Sequence, residues 1–530
     1  MGASVDPDNG LHAYARARLA DGDGALVQAV EGYRDAMKLD PARVEIARRA
    51  YVQGLESGDR ALALQSAAVL DGAGILPRDG TLLKIGDALA RRDWAAARTL
   101  TDRMAGEGNF AFIAPIVRSW LRIGEGDYAP PQIDAKDRFA ALGLRYLDEH
   151  VALQALARGD RAAALPAIRR ALAARGRDGG LLRLTFAQEL ARIGARDEAL
   201  MLLPAGSASF AAARAEVQKR RITGRPMGAA QGYARLMARL ASDLSTDPAG
   251  ATLSVRLARI ATFTDSEGAE PRLVAARLLT AQGHPAAALG EVERVPAKSW
   301  FAALAQAERI DALAAAEQTD AALALARAQT AEPGAEAERQ VRLGRLLATQ
   351  RDFAGAAAAF RAAQAGYAPD AVPWTLLLME GSALDQAKDW DAARAVLERA
   401  AKVAPDEPAI LNYLGYAQIE RRQNVEAALA LIRKASALKP EDPSITDSLG
   451  WAHFVTGNVD AAVPVLERAA LGAPTDATIN EHLGDALWSA GRRYEARYAW
   501  EAAALFAEGD VATRLAAKRE QGLKPEYAAP

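Results

Sequence analysis

Gly381, Gly415, Gly450 and Gly484 recur at one phase of a 34- or 35-residue step, and Ala393, Ala428, Ala462 and Ala496 recur at a second phase of it. Pro405, Pro440 and Pro474 keep the same step. The stretches so defined run from Trp374 to Pro405, Pro408 to Pro440, Pro443 to Pro474, and Ala477 to about Glu508. A period of this length is too long for one helix and fits two short helices with their turns. Such a unit cannot bury its apolar face alone, so it must stack on its neighbours. The predicted fold class is all-α: a solenoid of antiparallel helix pairs with no sheet.

Within "DPSITDSLGWAHFVTGNVDAAVPVLERAALGAP" the roles of single residues can be read. Gly450 sits where the first helix must approach the second closely, which a small residue permits. Gly457 and Asn458 follow as the turn, both tolerant of a left-handed backbone. Ala462, Leu466 and Ala469 recur at helical spacing as the buried stripe of the second helix. Pro474 cannot continue that helix. Small, large and proline positions agree in phase over consecutive units, and in this the chain resembles the tetratricopeptide repeat (TPR) family.

Half of the 530 residues are apolar and only 6% are aromatic, which suits helices packed through alanine. The formal charge of −2, with basic doublets scattered among acids, argues against a dedicated nucleic-acid surface. Absence of cysteine excludes disulfides, thiol nucleophiles and cysteine-based zinc sites. No apolar run is long enough to span a membrane, and "MGASVDPDNGLHAY" lacks the apolar core of a signal peptide. The chain is therefore expected to be either cytoplasmic or a mature form whose targeting segment has been removed.

The pattern weakens towards the N-terminus without vanishing. Ala29, Tyr33, Ala36 and Pro41 keep the phase of a second helix, Gly86, Leu89, Trp94 and Ala97 that of a helix–turn–helix, and Ala164, Ala199, Ala287, Ala322 and Ala356 continue it. Roughly 12 to 14 pairs are expected. The expected divisions are degenerate TPR-like pairs over 1–130, a middle array over 131–370, regular repeats over 371–508, and a capping helix and tail over 509–530. Breaks at Pro130 and Pro131, at "RRITGRPMGAAQGY" and at "TFTDSEGAEPR" read as loops between stacked pairs or as joints between segments.

No phosphate-binding loop, zinc-protease motif, nucleophile elbow or dinucleotide fingerprint is present. Of the five histidines, only His453 and His482 lie in adjacent repeats, and neither has partners at recognised ligand spacing. The expectation is no enzyme, no metal and no cofactor.

The TPR resemblance implies that the first helix of each pair lines an inner groove. Carried onto this sequence, it places Asn412, Tyr416, Ile419 and Glu420 there from the second unit. The third supplies Asp447, Trp451 and Phe454, and the fourth Glu481, Asp485 and Trp488. Aromatics flanked by hydrogen-bonding groups are anchors of a peptide-binding surface, although the same side chains could pack between repeats instead. The Lys, Arg and Asn set by which chaperone-type TPRs grip a terminal carboxylate is not matched by this mixture of acids and aromatics.

"LNYLGY", "DSLGW" and "HLGDALW" follow one another here, and Gly415 and Ala428 are 13 residues apart where the other units have 12. In this the last 140 residues or so resemble a group of proteobacterial envelope TPR proteins, many of them outer-membrane lipoproteins. The resemblance implies a periplasmic adaptor that binds a carboxyl-terminal processing protease and presents its cell-wall hydrolase substrates, with membrane attachment only through a lipid anchor not present in this chain. Alternatives are an assembly or secretion factor for envelope polysaccharide or outer-membrane machinery, and a cytoplasmic TPR co-chaperone or regulator.

Overall fold

Close approach of helices at small residues recurs in the computed structural model, which describes residues 7–134, 136, 139–174, 179–219, 222, 227–527 and 529. Among the described residues there are 29 α-helices and no strand. They gather into two compact units, one up to Glu336 and one from Ala337.

The first unit begins with α1 (Pro7–Gly22), α2 (Leu26–Leu39), α3 (Val44–Ser57), α4 (Arg60–Gly72), α5 (Arg78–Ala90), α6 (Trp94–Glu107) and α7 (Ala114–Glu125). It continues with α8 (Ala140–Ala157), α9 (Arg161–Ala173), α10 (Gly180–Arg192), α11 (Arg196–Leu202) and α12 (Ala208–Gln218). It ends with α13 (Ala229–Leu244), α14 (Ala251–Thr264), α15 (Ala269–Ala281), α16 (Pro285–Glu293), α17 (Ala302–Ala315) and α18 (Thr319–Thr330). Ala29, Ala97, Ala164, Ala199 and Ala322 are buried as the phase predicts, but Ala288 rather than Ala287 points inward from α16.

This unit is not a simple open array. Helices α13 and α14 pack back onto α3, α5 and α7. The Tyr233 hydroxyl donates to the Leu82 carbonyl at 2.9 Å. Gly232 lies against the Trp120 indole with no room for a Cβ, and Arg259 donates to the Glu56 carbonyl at 3.2 Å. The break at Pro130 and Pro131 is an extended connection, and "TFTDSEGAEPR" is the turn between α14 and α15. Most of the third break, residues 220–226 apart from Ile222, lies outside the described residues.

The second unit runs α19 (Ala337–Thr349), α20 (Phe353–Gln364), α21 (Trp374–Gln386), α22 (Trp390–Val403), α23 (Pro408–Glu420), α24 (Val425–Leu438), α25 (Pro443–Val455), α26 (Val459–Gly472), α27 (Ala477–Ser489), α28 (Arg493–Ala504) and α29 (Gly509–Gln521). The repeated glycines are all points of close approach. A Cβ at Gly381 would stand 2.7 Å from Leu397, one at Gly415 2.7 Å from Ile432, and one at Gly450 2.6 Å from Leu466. At Gly484 it would collide with the indole of Trp500. Ala393, Ala428, Ala462 and Ala496 are fully buried on the facing helices.

Helix ends follow from the turns. Asp442 and Asp476 cap α25 and α27 by accepting from two backbone N–H groups each. Gly457 takes the left-handed backbone expected of it at φ +82°. Asn458 does not: at φ −93° it caps α26 by accepting from the Ala461 N–H. The extra residue of the "LNYLGY" unit appears as two left-handed residues, Arg422 and Asn424, in one turn. Beyond Glu508 the expected further helix is present as α29, which buries Leu515 against the last pair.

Glycine to alanine in a helix interior ordinarily gains up to about 1 kcal/mol. Gly484→Ala is expected to reverse that sign, because overpacking against a fully buried tryptophan costs about 1–3 kcal/mol. Urea denaturation followed by tryptophan fluorescence measures it; a stabilised variant would show that α27 and α28 are not held at this separation.

Candidate functional site

The first helices α21, α23, α25 and α27 line one face of the second unit, and on it the candidate residues separate into two groups. Asn412, Tyr416, Phe454 and Trp488 keep part of their surface, with Thr375, Gln386 and Glu420 exposed beside them. Burial, helped by the Glu420 carboxylate, holds the Tyr416 hydroxyl protonated well above its ordinary value. The Asn412 Oδ1 is buried and has no hydrogen-bond partner among the described residues.

Ile419, Asp447, Trp451, Glu481 and Asp485 are buried, which corrects the expectation that they would stand on an open groove. The reason lies in contacts between successive first helices. His482 on α27 reaches back to α25, with Nδ1 2.9 Å from Asp447 Oδ2. Its ring stacks on Trp451 at 4.0 Å between centroids and 12° between planes. Phe454 closes the other side of Trp451 at 4.9 Å. The aromatic ladder expected from Tyr416, Trp451 and Trp488 is thus interrupted, since Trp451 is consumed by the core at 2% exposure.

At α27 the acids are satisfied by the C-terminal segment. Arg514 on α29 grips Glu481 through two parallel hydrogen bonds of 2.8 Å. Lys518, fully buried, donates to Glu481 at 2.6 Å and to both oxygens of Asp485 at 2.7 and 2.8 Å. Asp485 also accepts from Trp500 Nε1 at 2.9 Å and from the Ala529 N–H at 3.1 Å. Gly522 lies flat against the Trp488 ring. The chain therefore covers its own inner face at α27, while the face of α21, α23 and α25 keeps its exposed amide and aromatic groups.

Burial pushes the Glu481 carboxyl up, yet Arg514 and Lys518 more than offset it and leave it below its ordinary value. For Asp485 burial prevails over Lys518, and its pKa stays raised. Burial alone would push His482 down; Asp447, with Asp485 and Glu481, overcomes this and raises it.

Sequence reasoning missed His482, Arg514, Lys518 and Trp500 as members of this network. The sequence marks 509–530 only as a capping helix and tail, and His482 stands out in it only beside His453, as a metal-ligand pair without partners. Among the described residues no group of three or more His, Asp or Glu side chains is placed to hold a metal ion, and no helix is long and apolar enough to cross a membrane.

The sequence profile of the tetratricopeptide repeat matches residues 378–443 and 448–512, so the second unit carries tetratricopeptide repeats. Repeats of this class form protein-binding scaffolds. Similar solved structures include a thermophilic TPR protein of Thermus thermophilus, 19% identical over 34% of this chain and 97% of that one, with a TM-score of 0.31. MamA of Desulfovibrio magneticus is 15% identical over 32% of this chain and 94% of that one, with a TM-score of 0.28. Another MamA structure is 21% identical over 36% and 98%, with a TM-score of 0.27. No curated protein sequence matches the chain.

Two outcomes follow from the buried charges. A histidine with a folded pKa above its unfolded value of about 6.5 stabilises fully below that value and ceases to as pH rises through the folded one. The second unit is expected to lose stability on that rise, and His482→Gln to flatten the dependence in urea melts; an unchanged slope would assign the response elsewhere. Lys518→Ala leaves Asp485 buried without a cation, Glu481 keeping only Arg514, and is expected to cost about 3–5 kcal/mol. Adding Asp485→Asn should recover part of that loss in the same denaturation experiment, and no recovery would mean that Lys518 acts through packing.

Proposed function

We propose that the chain is a non-catalytic adaptor of the bacterial envelope that holds a carboxyl-terminal processing protease together with its cell-wall hydrolase substrates. The observation that carries the reading is the succession "LNYLGY", "DSLGW" and "HLGDALW" on α23, α25 and α27, with its one-residue longer turn before α24. These words supply both the partly exposed residues of the inner face and the buried network behind them. Asn412 and Tyr416 on α23, and Phe454 on α25, are the groups offered to a partner. An amide and two aromatic rings suit an extended peptide, the amide pairing with its main chain and the rings with its apolar side chains.

A scaffold of this kind needs no chemistry of its own. Holding protease and substrate on one frame raises the effective concentration of each for the other, and so speeds cleavage without a new catalytic group. Periplasmic location, with attachment through a lipid anchor outside this sequence, belongs to the same proposal.

Affinity capture from envelope extracts is expected to return a periplasmic processing protease, and degradation of cell-wall hydrolases by that protease to accelerate when the chain is added. Asn412→Ala with Tyr416→Ala is expected to weaken capture by about 2 kcal/mol or more, roughly 30-fold, with helicity retained. Fractionation that finds the chain in the cytoplasm, or hydrolase degradation indifferent to it, would reject the adaptor reading.

A further inference from the structure

The first unit contains a cavity of about 470 Å³, far from the tetratricopeptide repeats in sequence and independent of the adaptor reading. It lies among α10, α13, the first turn of α15 and the connection Pro296–Phe301. Its volume falls in the range of sites that take small ligands or a peptide side chain. Trp300 and Phe301, Met227, Pro271 and Pro296 give it an apolar wall.

The wall is fixed from behind. Trp300 is almost fully buried and donates its indole N–H to Glu216 at 2.5 Å, which holds the ring in place in the wall. Arg235, buried on α13, donates to Glu149 at 2.8 Å and to Thr185 at 3.0 Å, and it also pairs with Glu270. Glu189 pairs with Arg192. A wall held this way loses little freedom when something binds.

Charge decides the class of occupant. Of the ionic side chains around the cavity, Glu189 pairs with Arg192 and Glu270 with Arg235, and the two exposed ones, Glu267 and Lys298, are opposite in sign. Nothing there selects an anion or a cation. By contrast the Ser299 hydroxyl is buried without a hydrogen-bond partner among the described residues, and Gln231 belongs to the same lining. A buried hydroxyl left unpaired is costly, and a peptide group can supply both a donor and an acceptor to it.

We infer that this cavity is a peptide-binding site that takes one apolar side chain of a neutral, extended segment of a partner protein, with Ser299 bonded to its main chain. The probe is the blocked tripeptide acetyl-Gly-Leu-Gly-amide, with acetyl-Gly-Gly-Gly-amide as the control that lacks the side chain. Saturation-transfer NMR and calorimetric titration on the full chain are expected to show saturable binding of the first at millimolar probe, roughly 10-fold or more tighter than the second.

Ala269→Trp, which fills the cavity from the first turn of α15, is expected to abolish that binding. Ser299→Ala, which removes only the unpaired hydroxyl, is expected to weaken it about 3- to 10-fold at unchanged melting temperature. Equal affinity for the two probes, no saturable binding to the unsubstituted chain, or undiminished binding to a folded Ala269→Trp variant would each overturn the assignment. Because Asn412→Ala with Tyr416→Ala leaves the cavity untouched, loss of protease capture in that variant with tripeptide binding retained separates this site from the inner face of the repeats.

Discussion

Close approach of two helices through a small residue is the contact on which both units depend. Where Gly381 meets Leu397, Gly415 meets Ile432 and Gly450 meets Leu466, a missing Cβ lets a large side chain fill the seam. The approach is repeated in the first unit, where Gly32 and Gly54 meet Ala17 and Ala63, and Gly232 meets Trp120. Dispersion between such surfaces is weak per atom pair and large in sum, and it is lost steeply with separation. Each such glycine therefore sets how closely its own two helices can pack.

Given that stacking, the first helices face one another in succession, and whatever they carry must be covered or exposed. The two units solve this differently with their own chain. In the first, α13 and α14 supply apolar surface to α3, α5 and α7, with polar contacts to backbone, as from Tyr233 to Leu82, and an ion pair, Arg256 with Asp79 at 3.7 Å. In the second, the last inner helix carries Glu481 and Asp485, which an apolar cover would leave uncompensated. It is closed by Arg514 and Lys518 instead, with the Ala529 N–H completing the bonds of Asp485.

The period, the glycine and alanine phase and the capping helix were legible because they are local or regularly repeated, and a helix pair imposes the same demand each time. Legibility ended where partners are distant. Asp447 and Trp451 read as surface residues because repeat phase gives a side chain's direction but not what stands opposite it, and His482 stands opposite both. Lys518 is unmarked within the capping helix, because only the fold shows two buried acids beneath it. The return of α13 onto α5 joins Tyr233 to Leu82, 151 residues apart, a separation at which no repeat period carries information. Ala288 in place of Ala287 is the smaller version of the same limit, since a degenerate repeat fixes the helix and not its rotation to the residue.

These differences bear on what a partner can meet. An acid held by an internal cation has already given up its solvation and its charge to the fold, so it adds little attraction for a ligand and much rigidity to the helix that carries it. On the proposed function, the inner face of the repeats recognises a partner through the partly buried Asn412, Tyr416 and Phe454, while Asp447, Glu481 and Asp485 keep the helices beneath them in register. A partner selected by such a face is read by shape and main-chain hydrogen bonding more than by charge. Its affinity should accordingly depend weakly on salt, which sets it apart from the carboxylate-gripping members of the same repeat class.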